Sequence, residues 1–231
     1  MYNILYNTSM FEYICLVCCL CIMLIIVLFF TSGSSCIRDD TKYPELHLFR
    51  KFNKIVVKEL DNAIKTRRWT NIFTVDTLVK TQFSIDPLNS QQIIQIIENT
   101  YEPLTTNLYS LKLFVLIYFN IVIEDNVKVC PNITALLNGV PNVMNAYIQS
   151  VTPHTVTDKR SGAIKDNTIR CMIPLTPYDG REGISINDEV FNYSDLLATR
   201  DYIVFNTKCF YQLWNLTDVN KYVLVLDILD L

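Results

Sequence analysis

A chain of 231 residues, half of them hydrophobic, is long enough for one domain with a sizeable core and an accessory segment. Its formal net charge of −3, its isoelectric point near 5.4 and the absence of any basic run exclude nucleic acid as the main partner, because neutralising phosphates takes clustered Lys and Arg. The mean hydropathy of +0.22 is high for a soluble protein, and most of the excess lies between Ile14 and Phe30.

Residues 1–13 are a short tail that carries Glu12 and no Lys or Arg, so the basic start of a cleaved signal peptide is missing. Residues 14–31 form an uninterrupted apolar run. At about 1.5 Å per residue such a run approaches the ~30 Å of a hydrocarbon core, and it predicts one uncleaved transmembrane helix with the membrane as partner. Arg38, Lys42, Arg50, Lys51 and Lys54 follow it, and by the positive-inside rule they hold that side in the cytosol. Three N-x-Ser/Thr sequons, at Asn132, Asn192 and Asn215, and four cysteines beyond the run favour a luminal or exterior domain instead. The expectation is therefore a single-pass membrane protein whose C-terminal domain faces the lumen or exterior. Cys15, Cys18, Cys19 and Cys21 lie inside the run, which holds no His or carboxylate, so they read as lipid-facing or palmitoylated rather than metal-binding. Cys36, Cys130, Cys171 and Cys209 permit two disulfides, in any of three connectivities.

Residues 32–41, opening with SGSSC at Ser32, read as a polar linker, and 42–126 as a helical and mixed first part of the domain. From Pro44 to Lys65, the residues Leu46, Phe49, Phe52, Val56, Leu60 and Ala63 recur at helical spacing behind a first-turn proline. His47 in that first turn reads as a surface or capping residue. Trp69 to Phe83 reads as extended. Asp86, Pro87, Asn89 and Ser90 then form a turn able to cap a helix over Gln91 to Asn99. Leu111 to Ile123 is too short for a second crossing and reads as a buried strand or core helix. Beyond 127, the short β-branched or aromatic runs Ala146 to Val151, Thr168 to Leu175, Gly183 to Ile186, Tyr202 to Phe205, Tyr211 to Trp214 and Tyr222 to Ile228 have the cadence of a jelly roll. The fold class predicted is mainly β with N-terminal helices.

Three stretches in this region carry a resemblance: CPNITALLNGVPNVMNAYIQSVTP from Cys130, RSGAIKDNTIRCMIPLTP from Arg160, and GISINDEVFNY through LWN to VLVLDIL from Gly183. In order and kind they resemble the aspartyl/asparaginyl β-hydroxylase family, Fe(II) and 2-oxoglutarate dioxygenases. The resemblance implies that 127–231 is a double-stranded β-helix, the jelly roll of these enzymes. It also places the chemistry. The first iron ligand of the family falls at Arg160, counted from Pro153 and Gly162, and the other at Tyr211 in YQLWN. A further histidine, next to the cosubstrate, falls at Met172 in RCMIPL, and the arginine that grips the cosubstrate falls at Lys221. A guanidinium has no lone pair for a metal, and a tyrosine needs help to ligate Fe(II) at neutral pH.

With only His47 and His154 in the whole chain, the resemblance implies a catalytically inactive descendant that needs no cofactor and acts on protein partners. The alternative is an active hydroxylase of Asp or Asn side chains, or of a lipid, with Fe(II), 2-oxoglutarate and His154 or Tyr211 as ligand. The same alignment suggests a disulfide between Cys171 and Cys209 across the former iron site, and an anion-holding pocket of Arg160, Arg170 and Lys221. The Asn-, Ile- and Tyr-rich composition would suit an envelope protein of a large DNA virus.

Overall fold

The computed structural model describes residues 35–51, 53–71, 89–102, 111–161, 167–195 and 202–230. The chain divides into two units, Met1–Ser35 and Cys36–Leu231, and of the first only Ser35 lies among the described residues. The single-pass membrane localisation expected above is corrected here: no helix among the described residues is long and apolar enough to cross a membrane. The run 14–31 itself lies outside them, as do the tail 1–13 and residues 32–34 of the linker.

In chain order, the second unit has 3-10 turns at Asp40–Lys42 and Pro44–Leu46, α1 His47–Lys51, α2 Asn53–Ile64, β1 Thr70–Asn71, α3 Ser90–Asn99, β2 Lys112–Tyr118, β3 Ile121–Val122, α4 Glu124–Val127 and α5 Pro131–Leu137. It continues with β4 Val143–Val151, β5 Thr155–Val156, β6 Thr168–Pro174, β7 Glu182–Ile186, β8 Glu189–Asn192, β9 Ile203–Asn206, β10 Tyr211–Asn215 and β11 Lys221–Leu229. The helical pattern from Pro44 to Lys65 thus becomes a 3-10 turn and two α-helices. The run from Leu111 resolves to strand. Asn89 and Gln92 form a reciprocal capping box at the start of α3, satisfying two backbone N–H groups that the first turn would leave open.

Two sheets make a jelly roll. One has seven strands in the order β1-β2-β4-β11-β6-β9, with β3 beside β2, and the other has four in the order β5-β10-β7-β8. From β4 onward the chain passes between the sheets at each connection except the β7–β8 hairpin. That hairpin turns on Asn187 and Asp188, both at positive φ (45° and 69°), where Asn and Asp cost least among side-chain-bearing residues. β11 is the central strand and explains the layering. Its Tyr222, Leu224, Leu226 and Ile228 pack with the helices, while Val223 and Val225 face the space between the sheets. Covered on both faces, it reads as a nearly continuous apolar run rather than an alternating one.

The helices are fixed to the sheet side by a buried carboxylate. Glu59 on α2 accepts from the backbone N–H groups of Asn132 and Ile133, at 2.7 and 2.8 Å, and so caps the start of α5. Beside it, burial and then the Glu59 charge push the Cys130 thiol up to about 12. Cys130 therefore stays a thiol, not a reactive thiolate, at pH 8. Iodoacetamide at that pH is expected to leave it unlabelled in the native chain and to label it once urea unfolds the domain, as read by peptide mass. Native labelling would contradict the burial.

Candidate functional site

The inner faces of the two sheets bring together most of the positions singled out above. Arg160 follows β5 and pairs with the first residue of β10: its N–H donates to Tyr211 O at 3.0 Å, and its carbonyl accepts from the Tyr211 N–H at 2.8 Å. That pairing sets the Arg160 guanidinium carbon 5.4 Å from the centre of the Tyr211 ring. Arg170, from β6, lies 5.3 Å from the same ring, and its Nη1 donates to Tyr211 Oη at 2.6 Å. Tyr211 is thus a buried ring contacted by two guanidinium groups, a cation–π arrangement that gains strength away from water. Met172, two residues along β6, is buried in the same core opposite Val225 and Ile203.

Arg170 is held from its other side by Asp227, its partner in the β6–β11 register. Nε and Nη2 donate to the two carboxylate oxygens at 2.7 and 2.9 Å, a forked pair that Lys could not make. Asn145, opposite Asp227 on β4, donates Nδ2 to Asp227 Oδ2 at 3.0 Å and accepts the Phe119 N–H at 2.8 Å. Burial works against the Arg170 charge, yet Asp227, Tyr147 and Tyr211 together hold its pKa well above the ordinary value. Tyr147 is also buried here, and burial raises its phenol far above the usual range.

Lys221 opens β11 some distance along the same face. Its Nζ donates to Pro177 O at 2.6 Å, lies 3.2 Å from Glu182 Oε1, and sits 5.2 Å from the centre of the Tyr178 ring. Glu182 Oε1 also accepts the Asp179 N–H at 2.8 Å. The Tyr178 and Tyr193 rings meet at a tilt of 47°, centroids 4.7 Å apart, beside this pair, and burial raises both phenols.

Several expectations need correcting. Arg160, Arg170 and Lys221 do not form one open anion pocket, because Arg170 pairs with Asp227 and Lys221 with Glu182. Cys209 bonds Cys36 instead of Cys171, with Cα atoms 6.0 Å apart. The reason is strand geometry: Arg170 and Met172 face inward, so Cys171 between them faces the helix side and is buried there as a thiol. His154 sits in the turn between β4 and β5 at φ 53°, its Nε2 3.1 Å from Asp218 Oδ1, with 64% of its side chain exposed. Asn215 is fully buried, and its Nδ2 donates to the carbonyls of Val151, Thr152 and Val219, so it cannot carry a glycan in the folded chain. Asn132 Nδ2 donates to Glu59 at 2.6 Å, while Asn192 is half-buried on the edge strand β8. Replacing Asn215 with Ala should destabilise the domain by about 3 kcal/mol, since the buried carbonyls of Val151 and Thr152 lose a donor and the Thr217 N–H loses its acceptor; a urea midpoint within error of wild type would contradict this.

The sequence reading missed Asp227, Asn145, Glu182, Tyr147 and Tyr193. One signal was present. A single acid inside the apolar run VLVLDIL is seldom buried without a cationic partner, and Arg170 was at hand.

Comparison with known proteins places this geometry. The family described as aspartyl/asparaginyl beta-hydroxylase matches residues 86–230. The chain belongs to this family. No curated protein matches it. Among solved structures it is similar to a Photorhabdus luminescens protein at 17% identity and a TM-score of 0.29, covering 37% of this chain and 62% of that one. It is also similar to a 2OG-Fe(II) oxygenase family protein of Burkholderia pseudomallei (12% identity, TM-score 0.37, 52% of this chain and 68% of the other). A Trichoplax adhaerens prolyl hydroxylase gives 9% identity and a TM-score of 0.34 over 80% of this chain and 92% of the other. The chain spans under two thirds of the first of them.

Members of the β-hydroxylase family normally work with Fe(II) and 2-oxoglutarate. The residues here do not fit that group. A guanidinium cannot coordinate a metal, the Tyr211 hydroxyl accepts from Arg170, and Lys221 already has the Glu182 carboxylate. Among the described residues, no three His, Cys, Asp or Glu side chains gather as a metal ligand set.

Proposed function

We propose that this β-hydroxylase family member is non-catalytic and acts by binding another protein. One observation carries the reading: Arg160 and Tyr211, which the sequence resemblance sets at the family's two iron-ligand positions, contact each other, with Arg170 beside them. A dication brought to within about 5 Å of a guanidinium is opposed by roughly 7 kcal/mol at an effective dielectric of 20, and here there are two such groups. No loss of a proton relieves this, since Arg stays charged throughout the working pH range. The cosubstrate position points the same way, because Glu182 gives Lys221 the carboxylate that a dicarboxylate cosubstrate would otherwise supply.

Binding of a protein is favoured by the outer face of the four-stranded sheet. Val156 on β5 and Val190 on β8 are 58% and 63% exposed there, apolar side chains that a partner could cover. The envelope role rests on composition alone and adds nothing to this. An active hydroxylase has no comparable support, given the exposed position of His154. The test is turnover: the full chain with Fe(II), 2-oxoglutarate, ascorbate and oxygen should release succinate no faster than buffer. Release that requires the protein would overturn the reading.

A further inference from the structure

Among the described residues the seven-stranded sheet ends at β9, and an uncovered strand edge is a template for pairing with another chain. Residues 36–38 lie along this edge. Asn206 N–H donates to Cys36 O at 2.9 Å, Arg38 N–H donates to Val204 O at 2.8 Å, and Ile37 stands opposite Phe205. Cys36 is bonded to Cys209, in the turn between β9 and β10, and Asn187 Nδ2 lies 2.9 Å from the Cys36 sulfur.

Three residues are held here by contacts that include those two backbone bonds. Each returns little net free energy over a bond to water, whereas every ordered residue gives up conformational freedom of similar or greater worth. Cys36 and Ile37 are only partly buried against the inner core, which narrows the deficit without closing it. The covalent link, joining positions 173 residues apart, decides the balance by restricting the detached state. Both cysteines are half-buried, so a small reductant can reach the sulfurs.

We infer that the Cys36–Cys209 bridge is a thiol-sensitive latch: it holds residues 36–38 on the β9 edge, and reduction by a dithiol releases them. A thiolate of the dithiol attacks one sulfur, breaking the S–S bond as a mixed disulfide forms. The second thiolate then displaces the protein sulfur. Cys36 and Cys209 together gain two electrons and two protons, and the reductant leaves as its cyclic disulfide. Cys130 and Cys171 are already thiols and take no part. The inference is independent of whether the chain has catalytic activity.

The test is amide hydrogen exchange on the full chain with and without dithiothreitol, and on the C36S/C209S variant without it. Arg38 and Asn206 amides should exchange at least about tenfold faster in both reduced forms, while Leu224 and Leu226 in the central strand keep their protection. Unchanged protection at Arg38 and Asn206, with intact mass showing both thiols formed, would overturn the latch. Loss of protection in β11 as well would also overturn it, because the bridge would then support the whole fold. So would an intact mass showing no disulfide before reduction.

Discussion

Replacing Asp227 with Ala is expected to remove about 3–5 kcal/mol of stability, a large share of what a domain of this size has. Asp227 is fully buried, accepts two bonds from Arg170 and one from Asn145, and stands on the central strand. Its loss leaves the Arg170 guanidinium, only 5% exposed, with no counter-charge in the core. The penalty is for the abandoned charge more than for the lost attraction, and a paired replacement can show this. The double variant R170M/D227L removes both charges and should be more stable than D227A alone, although it also withdraws the hydrogen bond to Tyr211. Urea unfolding of the three proteins gives the comparison. A D227A stability within about 1 kcal/mol of wild type, on the order of an ordinary surface substitution, would mean the buried pair between β6 and β11 is not a main support of the core.

Replacing Glu182 with Ala is the second large effect, and it has two parts. Lys221 and the Asp179 N–H lose their shared acceptor, costing about 3 kcal/mol, though Lys221 keeps the Pro177 carbonyl. The vacated space then has an ammonium and a backbone N–H converging on a gap the size of a carboxylate. Acetate should fill it: at a hundred times its dissociation constant it would return about 2.7 kcal/mol to the variant and nothing to wild type, whose own carboxylate occupies the place. Thermal midpoints across an acetate series measure this, with chloride at equal ionic strength as the control. Equal acetate effects on both proteins would show that Glu182 does not occupy a carboxylate site.

These two pairs also mark where the sequence stops being informative. The apolar run of β11, the short strands from Ala146 onward and the capped helix near Gln91 were legible because period, length and capping chemistry agree locally. The stretch from Leu111 was ambiguous, because a strand buried on both faces has no period to separate it from a core helix. Two-residue β5 and exposed β8 carry too little pattern to stand out, although Asn187-Asp188 was a usable hairpin signal. At the site, the resemblance supplied positions but not contacts. It gave Arg160 and Tyr211 as replaced ligands without showing that they meet. Cys171 was misjudged because pairing it with Cys209 ignored the alternation of faces along β6, which Arg170 and Met172 could have fixed.

The most direct measurement is an anaerobic calorimetric titration of the full chain with Fe(II) in the presence of 2-oxoglutarate. With Arg160 and Tyr211 occupying each other, no saturable heat is expected, and R160A or Y211F should behave as wild type does. Binding of one equivalent of iron by wild type, weakened by Y211F, would show that Tyr211 coordinates the metal and that the chain retains the centre its family uses.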